Sequence, residues 1–274
     1  MTQPLLSVIT AAHPTSYRWL PQAGASLVEQ DVSLQWVVVA DEGDTAPVAE
    51  HLIDLPAELR RRTTVLATGA PGLGAAVART MGLASVQTRW LSVLDADDQW
   101  LRGGLDILMA GAESQGVSWI VGRCDELTSE GRRPHLPLGD LADRHIRRGE
   151  SVRRMEIGPL PWHPCVMVAE TAAVRAVGGW PPFPVHEDVA LAAALGAVVD
   201  GFAVDQVVYL YRKWGSQQTT QKPGYAEMRG RWRPLSIARA KQLAENWPGD
   251  YPLADSRPSD LRPCNPHQRR KSDG

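Results

Sequence analysis

The sequence predicts an α/β fold: a mostly parallel central sheet flanked by helices, with a smaller C-terminal part. Three observations predict it. Short continuous apolar runs recur along the first half. Segments of helical periodicity, about 10–15 residues long, separate them. The runs do not alternate apolar with polar residues, so both faces of the sheet are covered.

Leu5 to Thr10 reads as the first strand and Tyr17 to Glu29 as a helix. Leu34 to Ala40 is a second strand, ending at Asp41, and Val48 to Ile53 a short helix. Thr63 to Ala67 is a third strand and Leu73 to Val86 a helix. Trp90 to Leu94 is a fourth strand, ending at Asp95-Ala96-Asp97-Asp98. Gly104 to Ser114 is helical and Ser118 to Gly122 a fifth strand. Ser129 to Glu156 is a long Arg-, Gly- and Pro-rich excursion. After it come a strand (Cys165 to Ala169), a helix (Glu170 to Val177) stopped by Gly178-Gly179, and a helix from His186 to Leu195. Val198 to Ala203 and Gln206 to Tyr211 read as adjacent strands, and Ala226 to Asn246 as a helix. Residues 248–274 read as a flexible or disordered tail. The expected organisation is one domain over 1–247, with a first half (1–125) and a second half (126–247).

Composition narrows the function. The chain has 274 residues, with 29 Lys plus Arg against 31 Asp plus Glu, a formal charge of −2. A nucleic-acid binder normally carries a basic excess, so none is expected. No apolar run approaches the roughly 18 residues of a spanning helix, and the first residues lack a signal peptide's pattern. Cys124, Cys165 and Cys264 are far apart and odd in number, which fits a reducing cytoplasm rather than a disulfide framework. Ten Trp stand against two Phe. Most Trp are expected in the core, while some could stack on a sugar.

In a parallel sheet, ligands bind beyond the carboxyl ends of the strands. Those ends carry Thr10, Ala11, Asp41, the Gly-rich Thr68 to Gly74, and Asp95 to Asp98. Carboxylates two apart at a strand end suit Mg²⁺ or Mn²⁺; a solvated, capped turn is the alternative. Gly72 and Gly74 precede a helix carrying Arg79. The segment is neither a dinucleotide fingerprint nor a Walker loop. His186-Glu187-Asp188 opens a helix, so its carboxylates are either caps or a general base. Tyr211-Arg212-Lys213-Trp214 to Thr219 leaves a strand with basic and amide groups.

The order of these pieces resembles family 2 glycosyltransferases of the GT-A (Rossmann-like) fold. Ser7 to Thr10, Asp41, Gly74 with Ala78 to Gly82, Asp95 to Asp98, Gly178-Gly179-Trp180, Glu187-Asp188, and Arg212 with Gln217 carry the resemblance, over roughly residues 5 to 220. It implies transfer, with inversion, of one sugar from a UDP-, GDP- or dTDP-sugar. Thr10, Ala11, Asp41, Arg79 and Asp95 of the first half, with Arg212, would line the nucleotide-sugar site, and 1–125 would be the nucleotide-sugar-binding half. Asp95 and Asp97 would serve a divalent Mn²⁺ or Mg²⁺ cofactor. Asp188 would be the catalytic base, with Glu187, Trp162, His163 and Trp180 toward the acceptor. Many relatives carry His where this chain has Trp214, which leaves the third metal ligand open. The expected acceptor is a soluble natural product such as a nucleoside, aminoglycoside or peptide. A cell-surface polysaccharide or lipid-linked acceptor is the alternative. A nucleotidyltransferase and a non-catalytic sugar-nucleotide binder are alternatives of other classes. A homodimer is compatible with the sequence.

Overall fold

The computed structural model describes residues 3–135, 137–215, 217 and 224–248. The tail expected from residue 248 therefore lies, beyond Pro248, outside the described residues, and so does Cys264.

Four parallel strands form one side of a single sheet: β1 (Leu6–Ala12), β2 (Leu34–Ala40), β3 (Thr63–Ala67) and β4 (Trp90–Val93), in the order β3-β2-β1-β4. A two-residue β5 (Gln99–Trp100) follows the acidic turn. The sheet continues through β9 (Met167–Glu170), β6 (Trp119–Thr128) and β10 (Gly201–Arg212) to β5. β9 is antiparallel to both β4 and β6, and β10 is parallel to β6. β6 and β10 therefore run with β1 to β4, and one strand is reversed among them. The Ser129 to Glu156 excursion contains two edge strands, β7 (Gly131–Pro134) on β6 and β8 (Arg144–Ile146) on β10.

The helices are α1 (Leu20–Val28), α2 (Ala46–His51), α3 (Ala57–Arg61), α4 (Ala75–Ser85), α5 (Gly104–Gln115), α6 (Glu150–Ile157), α7 (Thr171–Ala176), α8 (Glu187–Val198) and α9 (Tyr225–Glu245). Period-2 alternation sends successive strand residues to opposite faces. Ile9, Val37, Val39, Leu91 and Met167 pack on one face with α4, α7 and α8. Val8, Trp36, Val38, Ile120 and Val168 pack on the other with α1 and α5. Gly82 lets α4 lie close on β1: a Cβ there would sit 2.7 Å from the Ile9 Cγ2.

Three elements differ from expectation. The two strands expected at Val198 to Ala203 and Gln206 to Tyr211 are one strand, β10, with register shifts against β6 between Ala203 and Tyr209. A bulge absorbs the extra residues without ending the strand. Val198 belongs instead to α8, whose Ala- and Leu-rich run is buried almost all round. The expected helix from Tyr17 begins as a 3₁₀ turn (Pro14–Trp19), with Pro21 opening α1.

Candidate active site

The carboxyl ends of β1, β2, β4 and β10 meet the entry of β9 on one rim. At its centre Arg79, from the first half of α4, is buried between two carboxylates. Its Nη2 donates to Asp95 Oδ1 at 2.5 Å and its Nη1 to Glu187 Oε1 at 2.6 Å. Burial works against that charge, yet the surrounding anions, Asp95 foremost, hold the guanidinium well above its usual range. Burial also opposes the Asp95 charge, and Arg79, with His163, outweighs it and holds that carboxyl low. Glu187 behaves the other way. Burial and then the neighbouring Asp188 push it up to about 7, against the pull of Arg79.

His186 delivers the acidic pair. It has φ +73°, an uncommon left-handed conformation for a non-glycine residue, immediately before α8. The turn brings Glu187 inward to Arg79 and leaves Asp188 partly exposed. The Val189 amide donates to Asp188 Oδ1 at 2.7 Å. The Cys165 thiol lies 3.3 Å from Asp95 Oδ2 and 4.0 Å from Asp188 Oδ2. His163 packs on Tyr211, ring centres 4.7 Å apart, and burial lowers its pKa against the pull of Asp95 and Asp188. Asp95, Arg79, His163, Glu187 and Asp188 thus converge.

Other expected site residues sit elsewhere. The Thr10 hydroxyl is buried and accepts the Trp36 indole N–H at 2.8 Å, so its side chain is spent inside the sheet; Ala11 beside it is partly exposed. Asp41 is buried and accepts the amides of Leu73 (2.8 Å) and Gly74 (3.1 Å). Gly72 and Gly74, at φ +79° and +89°, supply the left-handed backbone that the loop requires. Asp41 therefore fastens the Gly-rich loop. Arg79 binds carboxylates rather than lining an open nucleotide pocket. Trp162 packs on Trp119 in the core, 2% exposed, and offers no open face to an acceptor. Trp180 is buried as well, lining a small apolar cavity with Pro164, Leu191 and Asp188. Large flat rings near a site satisfy the core before they serve a ligand.

Tyr209 and Cys165, in segments read as strands, also contact the acidic turn. Tyr209 donates to Asp98 Oδ2 at 3.0 Å and accepts the Asp95 amide at 3.2 Å. The Arg212 amide donates to Asp98 Oδ1 at 2.7 Å. Asp98 thus ties the acidic turn to β10, and burial with Asp97 and Asp95 pushes its pKa well up.

The acidic turn does not fit a protein-built divalent site. Asp95 is committed to Arg79, and Asp98 to Tyr209 and the Arg212 amide. Asp97 Oδ2 accepts the Trp214 indole N–H at 2.6 Å and the Gln217 amide at 3.4 Å. Among the described residues no three His, Cys, Asp or Glu side chains converge on a point that could hold an ion. Of the two carboxylates expected to serve a metal, Asp95 thus has its charge compensated by a guanidinium and Asp97 is held by neutral donors.

Asp95, Arg79, Glu187 and Asp188 thus gather on the carboxyl rim of an α/β sheet, where such folds bind ligands. Residues 7–169 match the family described as Glycosyl transferase family 2, and the chain belongs to that family. Family members commonly use divalent metals. No curated protein matches the sequence. Among solved structures, S. aureus TarS residues 1–349 in complex with UDP-GlcNAc superposes with TM-score 0.63 at 16% identity, covering 87% of this chain and 70% of that one. The same fragment with UDP gives 0.61 at 15% identity, covering 87% and 69%. Against the longer TarS structure the TM-score is 0.58 at 16% identity; 76% of this chain aligns and spans 36% of that one. The likeness establishes the GT-A fold. Among the described residues no helix is long and apolar enough to cross a membrane.

Proposed function

We propose that the chain is an inverting glycosyltransferase that moves one sugar from a UDP-sugar to an acceptor hydroxyl. The convergence of Asp188 with the Asp95–Arg79–Glu187 bridge on the carboxyl rim carries this reading. UDP and UDP-GlcNAc bound to structural neighbours support uridine as the donor base. Residues 1–125 then form the donor half and residues 126–247 the acceptor half.

Asp188 is the partly exposed member of the Glu187–Asp188 pair and would take the acceptor proton. As the acceptor oxygen loses its proton to Asp188, it attacks the anomeric carbon from the face opposite the leaving group. The bond from that carbon to the diphosphate oxygen breaks, and UDP departs with the electron pair. Inversion needs one such base and no covalent intermediate. Arg79 holds Glu187 and Asp95 in place, so Asp188 faces the cleft at a fixed distance from the donor turn. His163 lies on the acceptor side of the same cleft.

The acceptor we favour is a soluble natural product bearing hydroxyls, such as a nucleoside, aminoglycoside or peptide. A cell-surface polysaccharide or lipid-linked acceptor is the rival. UDP-GlcNAc and other UDP-sugars, incubated with an acceptor panel and followed by UDP release and product mass, test the reading. The anomeric configuration of the product tests inversion. No UDP release with any acceptor, together with no binding of UDP, sinks it.

A further inference from the structure

We propose that the donor diphosphate is held by a cation–indole cluster of Arg18, Trp19, Arg212 and Trp214, and that this cluster does so without a divalent ion. The inference rests on the nucleotide-sugar reading above.

Arg18 follows β1 and Arg212 ends β10, so both lie on the carboxyl rim, where α/β sheets bind ligands. The Arg18 guanidinium carbon is 5.0 Å from the centre of the Trp19 ring and 4.6 Å from that of Trp214. The Arg212 guanidinium carbon is 4.2 Å from the same Trp19 ring. Trp19 and Trp214 meet edge to face at 6.1 Å. Two cations thus share one indole. Each gains from the ring, yet they repel each other.

Asp98 and Asp97 lie near enough to favour the Arg212 charge, but no described carboxylate pairs directly with either guanidinium. Arg212 donates from Nε to the Asp97 carbonyl and from Nη2 to Gln22 Oε1, both neutral acceptors. Among the described residues neither arginine makes an ion pair with a carboxylate. The Trp19 indole nitrogen is buried and has no acceptor among the described residues. An unmet buried donor is costly, as are two adjacent unpaired guanidiniums. A doubly charged anion between them answers all three. Guanidinium forks match phosphate oxygens, and a diphosphate offers several.

Trp214 accounts for the second half of the inference. An indole N–H is a donor only and cannot ligate a cation. At 2.6 Å from Asp97 Oδ2 it presents the positive end of its dipole to one oxygen of the carboxylate that a metal would use. The same ring carries Arg18. One side chain therefore caps the acidic turn and seats a cation, and neutralisation of the diphosphate passes from a metal to two arginines.

Calorimetric titration of the full chain with UDP, in EDTA and in Mn²⁺, tests this, with uridine as the phosphate-free probe. UDP affinity is expected to agree within about twofold in the two buffers, well inside one tenfold step of 1.4 kcal/mol. Arg18→Ala and Arg212→Ala are each expected to weaken UDP about tenfold, the loss of one charge-assisted contact, and to leave uridine unchanged. Arg18 is exposed, so its truncation spares the core, and the uridine arm reports folding. Trp214→His is expected to make UDP binding tighten with Mn²⁺. Loss of UDP binding in EDTA overturns metal independence. UDP affinity untouched by Arg18→Ala overturns the anion site while leaving the nucleoside reading intact. Failure of both UDP and uridine to bind the wild-type chain removes the donor reading, and this inference with it.

Discussion

Arg79 and Glu187 are 108 residues apart in sequence and joined by a 2.6 Å hydrogen bond inside the protein. One belongs to the helix after the third strand, the other to the acidic pair ahead of β10. The bond, extended to Asp95, stitches the acidic turn after β4 to the start of α8. Breaking a buried pair leaves its partners charged and dry.

Arg79→Met is therefore expected to cost about 3–5 kcal/mol, the range for removing one member of a buried ion pair. Urea unfolding measures it. The double change Arg79→Met with Glu187→Gln should recover part of the loss, because one stranded carboxylate becomes neutral. A single variant as stable as the wild type would show that the bridge contributes nothing.

Glu187 gives a pH signature. Its pKa rises from 4.5 in the unfolded chain to about 7 when folded. Between those values the folded protein holds a proton that the unfolded chain has released. Stability then declines as pH rises through this window and levels off above it. At 1.36 kcal/mol per pH unit the decline is about 3 kcal/mol as an upper bound. Melting temperatures from pH 4.5 to 8 should show the slope, and Glu187→Gln should flatten it. An equal slope in that variant assigns the effect elsewhere.

Asp188→Asn should abolish transfer by a factor of about 10²–10⁴, the usual contribution of a general base, while UDP binding stays intact. UDP-release assays and calorimetry read the two quantities separately. Turnover that survives the change would remove Asp188 from its role.

Gly82 sets how closely α4 approaches β1, and so where Arg79 stands. A methyl group there meets Ile9 Cγ2 at 2.7 Å. Gly82→Ala should cost about 1–3 kcal/mol by overpacking, despite the better helix propensity of Ala. Thermal unfolding checks it; a stabilised variant would mean that the helix can retreat at no cost.

The fold was largely legible because each buried strand is an uninterrupted apolar run and each helix has a clear stop. Leu34 to Ala40 and Trp90 to Val93 needed nothing more. β10 was not legible as one strand, because Asp205 and Gln206 interrupt its apolar pattern and pairing with β6 overrides the break. The two-residue β5 exists only through its pairing with Tyr209 and Leu210. At the site, Asp95, Asp97, Glu187 and Asp188 stood out as paired carboxylates at element ends. Their partners did not. Whether Arg79 turns toward a nucleotide or a carboxylate is decided by long-range packing that local sequence does not encode. Thr10, Trp162 and Trp180 were recognisable positions whose side chains the core claimed. Arg18 and Trp19 had no local signal, since the cluster forms only when β10 brings Arg212 and Trp214 to them.

The reversed strand β9 has an effect on how this site can change. β1, β2, β4 and β10 deliver their residues by leaving the sheet there, whereas the chain enters the sheet at β9, as it does at the short β5. The segment carrying His163 and Cys165 is thus anchored by α6 on one side and β9 on the other, apart from the turns that hold Asp41 and Asp97. It reaches the acidic turn through space instead: the Cys165 thiol lies 3.3 Å from Asp95 Oδ2, so a change of length or sequence in residues 158–166 is felt at that turn.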